Sequence, residues 1–404
     1  MEKKIVILFE VHPVVTYSSR YDYQAYIQAG YQLDICDLSG VISDLYSNKD
    51  DKPKDSEGIR YYAFQSKKQF KQYVNNLDNN AFIWSTFQLT AEYWWIFKLI
   101  SRHRYGFICN IDYVIPRSKS RIKQKNYWTN LSWHRVSNAL LYRTPRKYIP
   151  IRKADAVITY GEEDIQRKLN NVLYDEHTII ELTNTIDYNA CVKALSQNTD
   201  DDLNLPDDYI VFIDEYMPYH PDGLKLGMHI DEKKYYQEVE TFLRRVSAIM
   251  GIPVMVAAHP KADYKLHSEC YQGMRIIQFK TAELIKKAKF VITHLSIATS
   301  MILISRKPYL LITTDEVDRV IHANGINEDW EKDLEKKEIN ISNELSDDDL
   351  QYQIKQAQET GQDYYDRQIH KYKLPEGHPN ESLTFGEIVM KTMRKVEAIE
   401  SKEV

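Results

Sequence analysis

The residues best suited to chemistry stand in five polar clusters, each directly after a short apolar run. Asp214-Glu215 follows residues 209–213, and His259-Pro260-Lys261 follows 253–258. Lys280-Thr281 follows 275–279, His294-Leu295-Ser296 follows 290–293, and Thr313-Thr314-Asp315 follows 309–312. Imidazoles, hydroxyls, ammonium groups and carboxylates collected in this way suit holding an anion and moving a proton. Helical stretches separate most of the runs, so they read as strands of a parallel sheet with crossover helices. An open sheet of that kind binds ligands just beyond the carboxyl ends of its strands, which is where these side chains stand.

The same rhythm runs through the first half of the chain. Strands are expected at 4–9, 31–36, 60–64, 81–85, 107–111, 156–160 and 178–182, with helices near 19–29, 67–74, 89–101 and 132–141. Alternating strands and helices predict an α/β, doubly wound sheet in each half. The charged, Pro-containing stretch 48–58 reads as a surface loop, and the polar run 196–208 as a linker. After Thr314 the chain turns acidic and helical, with apolar residues at helical spacing in 346–359 and 381–397. The expected organisation is an N-terminal domain over 1–195, a second domain over 205–375, and a C-terminal helix over 380–404 that packs back on the first domain.

Composition sets outer bounds. A chain of 404 residues favours two domains, each large enough to bury a core. The cysteines Cys36, Cys109, Cys191 and Cys270 are scattered without metal-ligand or disulfide-framework spacing, which points to a reducing cytoplasm. Only five apolar residues precede Glu10, too few for a secretory signal, and no stretch approaches the ~20 apolar residues that span a bilayer. Net charge is −5, yet residues 101–153 carry thirteen Lys or Arg against one acid, Asp112, with seven Tyr or Trp among them. That basic, aromatic segment suits either an anionic headgroup surface or a solvated face paired with the acidic remainder. No nucleic-acid-binding motif accompanies it, so nucleic acid is not an expected partner.

The motifs Asp214-Glu215-Tyr-Met-Pro-Tyr-His220, Ala258-His259-Pro260-Lys261, Lys280-Thr281-Ala-Glu283 and His294-Leu-Ser296, with Arg306-Lys-Pro308, resemble bacterial surface-polysaccharide glycosyltransferases of the GT-B fold. The His-Pro element followed by a Ser/Thr element is similar to that of sialyltransferases and of transferases for Kdo and related nonulosonic acids. The resemblance is carried mainly by residues 150–315. It implies two Rossmann-like domains facing a cleft and an inverting transfer from a CMP-sugar to a surface glycan acceptor, with the protein cytoplasmic or peripheral at the inner face of the membrane. No metal or other cofactor is expected, because the chain lacks a strand-end Asp-x-Asp motif and histidines with helix ends can balance one phosphate.

Roles follow from that resemblance. His259, fixed by Pro260, is expected to hydrogen-bond or protonate the departing phosphate, since an imidazole pKa near about 6.5 suits either task. Lys261 adds charge. Ser296 and Ser300, where a helix should begin, form a second phosphate contact. Thr281 is expected to cap a helix, with Lys280, Glu283, Glu215 and His294 completing the donor site. The sialyltransferases' Asp/Glu-Asp/Glu-Gly motif, which holds their base, is absent here, so the base is sought at first-domain strand ends, with Glu10, directly after strand one, preferred to Asp112 and Asp22; Asp214 shares the catalytic set, and His12, Asp112 and His220 are placed with the acceptor. Two other readings are carried: transfer of a polyol phosphate from a CDP-alcohol, as in teichoic acid polymerases, and non-catalytic binding of anionic glycan or membrane through residues 101–153.

Overall fold

The computed structural model describes residues 3–13, 17–42, 54–78, 80–87, 89–102, 106–111, parts of 136–150, 151–160, 173–196, 203–220, 223–224, 228–320 and 326–400. These residues divide into two compact units. One holds the residues up to Ile186 together with those from Lys373 onward, and the other holds Asp187–Tyr372. Asp112, most of the basic segment 101–153 and much of the expected helix at 132–141 lie outside the described residues.

The first unit is built on seven parallel strands: β1 (Lys3–Phe9), β2 (Tyr31–Asp37), β3 (Ile59–Ala63), β4 (Ala81–Ser85), β5 (Gly106–Ile111), β6 (Ala156–Thr159) and β7 (Ile179–Leu182). Their order is β3-β2-β1-β4-β5-β6-β7. Ile5 through Phe9 of β1 are all essentially inaccessible, as expected for a strand covered on both faces. Alternation sends Val6 and Leu8 into one apolar cluster and Ile5, Ile7 and Phe9 into the other. Strand order reverses between β1 and β4, so the chain leaves those two neighbours in opposite directions. The crevice this opens at their carboxyl ends is where doubly wound sheets take ligands.

The C-terminal helix Phe385–Glu400 buries Phe385, Ile388, Val389, Met393 and Val396 in the same cluster as Ile5, Ile7 and Phe9. Each such side chain contributes roughly 1.5–3 kcal/mol of burial. The helix therefore packs back on the first unit. It starts at Phe385, later than periodicity suggested, because Thr384 and Glu387 form a reciprocal cap: the Glu387 amide donates to Thr384 Oγ1 at 3.2 Å, and the Thr384 amide to Glu387 Oε2 at 2.8 Å. Gly386 permits close contact, since a Cβ there would sit 2.9 Å from both Ala25 Cβ and Asp22 Oδ2. Asp22 also interrupts the expected helix at 19–29, its φ of 55° splitting it into Tyr17–Arg20 and Tyr23–Gln28.

The second unit carries six parallel strands: β8 (Ile210–Ile213), β9 (Val254–Ala258), β10 (Arg275–Gln278), β11 (Phe290–Thr293), β12 (Tyr309–Thr313) and β13 (Glu338–Asn340). Their order is β10-β9-β8-β11-β12-β13, with the reversal between β8 and β11. The short β13, absent from the sequence expectation, adds to β12 as an edge. The 19-residue helix Glu232–Met250 begins at an Asp231 side-chain cap and stops at Gly251 in the left-handed conformation, covering one face with Tyr235, Val239, Phe242 and Val246. The architecture is thus α/β with two Rossmann-like parallel sheets. Among the described residues no helix is long and apolar enough to cross a membrane.

Candidate active site

In the second unit Asp214 and Glu215 end β8, His259 ends β9, and the His294–Ser296 loop ends β11, so all three lie at the carboxyl edge around the strand-order reversal. The ring centroids of His220 and His259 are 4.7 Å apart, edge to face. His220, assigned to the acceptor from sequence, thus stands beside the imidazole assigned to the donor. The Lys261 amide donates to His259 Nδ1 at 3.1 Å. That nitrogen must then offer a lone pair, which places the ring proton on Nε2 and makes Nε2 a donor. Gln278, at the end of β10, donates from Nε2 to the carbonyls of His259, Pro260 and Ala262 at 3.0, 3.1 and 2.9 Å, fixing the turn that carries the imidazole.

Asp214 does not fit the catalytic set in which the sequence reading placed it. It is 1% exposed, and both oxygens are engaged. Oδ1 accepts the Tyr216 amide at 3.0 Å and the Tyr271 hydroxyl at 3.0 Å, while Oδ2 accepts the Tyr264 hydroxyl. Burial raises its pKa, and these bonds oppose the rise. The carboxylate is a structural staple: it ties the end of β8 to the loop after β9 and supports Tyr216 at a φ of 52°.

Glu215 is half-buried and differently placed. Burial pushes its pKa up to about 7, a hydrogen bond from Ser296 works against the rise, and the Asp214 charge adds to it. Ser296 Oγ also accepts the Ala298 amide at 3.0 Å. Ser296 therefore caps a turn instead of the helix Thr299–Ile304, whose N-cap position belongs to Ala298. The side chain of Ser300 is buried, donating to the Ile297 carbonyl at 2.8 Å, with Asp187 Oδ2 at 3.4 Å. The hydroxyls of the expected helical tip are thus engaged by their own neighbours, at the start of a helix of six residues.

His294 is likewise committed. Nδ1 bonds to the Ile312 carbonyl at 2.9 Å and Nε2 to the Tyr235 hydroxyl at 2.8 Å, and the ring is 1% exposed. It secures the end of β11 to the helix above, which is a core role. Lys280 pairs with Glu283 at 3.0 Å across one helical turn, and Lys280, not Thr281, holds the N-cap position of helix Thr281–Lys287.

In the first unit Glu10 and His12 follow β1 at its strand-order reversal. His12 Nδ1 meets Asp37 Oδ2 at 2.7 Å, and Asp37 Oδ1 accepts the Ser39 amide at 2.8 Å. Asp37, which ends β2, was missed in the sequence. Its signal was available, a carboxylate closing an apolar strand next to the one that ends at Glu10. Tyr264, Tyr271 and Gln278 were missed as well, and single residues inside loops or at edge strands carry no spacing that would have revealed them.

The chain matches no protein-family model and no curated protein in sequence. Its structure is similar to those of the wall teichoic acid polymerase TagF. One TagF structure, a variant, superposes with a TM-score of 0.60 at 11% identity, covering 98% of this chain and 90% of the other. A second superposes at 0.58 and 12% identity, covering 100% and 90%. The UDP-GlcNAc 2-epimerase of Methanocaldococcus jannaschii gives 0.50 at 11% identity, covering 98% and 100%. Two Rossmann-like parallel sheets, matched over nearly the whole chain by proteins of this architecture, make the fold GT-B.

Proposed function

We propose that this chain is a transferase whose leaving group is a cytidine nucleotide, and that its donor is a CDP-activated alcohol used to build a surface polymer. The observation that carries the reading is the His220–His259 pair at the carboxyl edge of β8 and β9. Two adjacent imidazoles suit a diphosphate, with one donor for each phosphate, and preorganised donors at the site of developing charge are the largest single catalytic contribution in such reactions. The fold likeness to a wall teichoic acid polymerase supports the same choice.

In this reading a general base takes the proton of the acceptor hydroxyl. The hydroxyl oxygen bonds to the phosphorus that bears the alcohol, the bond from that phosphorus to the bridging oxygen breaks, and CMP departs. His259 Nε2–H, with His220, stabilises the negative charge on CMP.

Transfer of a nonulosonic acid from a CMP-sugar is the second reading. The motif resemblance favours it, and it releases the same CMP, with the acceptor oxygen attacking the anomeric carbon instead. Release of CMP from CDP-glycerol, CDP-ribitol and CMP-sialic acid, measured with and without a glycan or lipid-linked acceptor, separates the two. Acceptor-dependent release from a CDP-alcohol is the expected result. Release only from a CMP-sugar replaces the first reading with the second, and a thermal-shift response to UDP or GDP but not to CMP or CDP rejects both.

A further inference from the structure

The two histidines at the heart of the proposed chemistry stand on loops, and a second aromatic pair joins the same two loops. His220 directly follows the three-residue turn Met217–Tyr219 after β8, and His259 opens the loop after β9. Tyr219, next to His220 in the chain, stacks on His267, further along the loop that His259 opens. Their ring centroids are 3.7 Å apart and their planes differ by 15°. The two loops therefore meet at His220–His259 and again at Tyr219–His267.

The second contact is braced from both sides. Backbone bonding in so short a turn is limited, the Tyr219 amide donating to the Tyr216 carbonyl at 3.0 Å, so side chains decide where its last residues sit. The Tyr219 hydroxyl bonds to Glu232, at the start of the long helix, while the face of its ring lies on the His267 imidazole. On the other loop, His267 Nδ1 is 3.6 Å from Glu269 Oε1, and the Tyr216 ring meets the imidazole edge to face at 6.0 Å. An imidazole keeps such a stack in both charge states. Neutral, it packs on the phenol ring by dispersion; protonated, it is attracted to the negative ring face. Two imidazoles that grip an anion gain when their spacing is set before the ligand arrives, because side chains ordered only on binding cost affinity.

We propose that Tyr219 and His267 are positioning residues, whose stack sets the approach of His220 to His259 and so preorganises both imidazoles for the nucleotide phosphates. The ligand named here rests on the cytidine-nucleotide reading above, whereas the control of one ring pair by the other does not.

The test joins proton NMR of the imidazole C–H signals to calorimetric titration of CDP, which carries both phosphates, on the full chain at pH 7. His220→Gln and His259→Gln assign the signals and show how far each ring displaces the other's by its ring current. Tyr219→Leu and His267→Leu should each remove that displacement and weaken CDP binding by about 3–10-fold, with the double variant no worse than either single one. Tyr219→Phe and His267→Phe keep a stacked ring and should keep both the displacement and the affinity. The two Leu variants act on different loops, so either one alone decides the question if the other fails to fold. An unchanged displacement in the Leu variants overturns the proposal, as does a loss of CDP affinity in Tyr219→Phe equal to that in Tyr219→Leu. A wild type that does not bind CDP rejects the cytidine reading, and the NMR displacement then decides the positioning role by itself.

Discussion

His12 Nδ1 lies 2.7 Å from Asp37 Oδ2, and the remaining oxygen of that carboxylate is held by the Ser39 amide, so the imidazole is oriented by a partner that is itself fixed. The carboxylate selects the tautomer that carries the proton on Nδ1. Asp37→Ala should therefore cost about 1–3 kcal/mol of stability, because it leaves a buried imidazole donor without its acceptor. The urea midpoint of the variant beside wild type checks it.

Tyr264→Phe tests the Asp214 staple. Removing that hydroxyl leaves a buried carboxylate short of one donor, and the expected cost is about 1–3 kcal/mol of stability, read as a shift in the urea midpoint. If Asp214 were instead the catalytic base, Tyr264→Phe would change the pH–rate profile while leaving the urea midpoint in place.

Glu215 supplies a pH dependence. Its folded pKa is raised to about 7 from the ordinary carboxylate range, so between those two values the folded state binds the extra proton. Stability contributed by that proton is present at low pH and declines as pH rises through about 7. Glu215→Gln should flatten this decline. It should also weaken the fall in CMP affinity above neutrality, because the ionised carboxylate repels phosphate. Thermal denaturation and CMP titrations between pH 5 and 9, run on both proteins, give the comparison.

The C-terminal helix has the opposite sign. Burial raises the Glu181 pKa, but hydrogen bonds from Asn380, Lys395 and Lys391 more than offset it and hold the carboxyl below its usual value. Stability from this cluster is present above the ordinary carboxylate pKa and is lost as pH falls through the depressed one. Glu181→Gln should destabilise the chain at pH 7 and make little difference below about pH 3. Differential scanning calorimetry across that range measures it.

Much of the fold was legible because parallel strands buried on both faces are written as continuous apolar runs, and β1, β4, β8, β9 and β11 are all of that type. β13 was hidden, since Glu338–Asn340 is a three-residue edge with a single apolar residue. Strand ends told where His259 and Glu215 would stand, whereas Ser296, expected at a helix start, caps a turn before it. They did not tell which polar groups were already spoken for. Asp214, His294 and Ser300 carry the same letters a ligand site would use, but Tyr264, Tyr271, Tyr235 and Asp187 come from distant parts of the chain, and only the folded packing shows that they engage those groups.

The most direct measurement is calorimetric titration of CMP into wild type and His259→Ala at pH 7, with thermal unfolding recorded on the same samples. The account predicts that wild type binds CMP and that the variant binds about 10–100-fold more weakly while melting at the same temperature, the loss of one charge-assisted hydrogen bond to a phosphate. Equal affinity for CMP in the two proteins would contradict it.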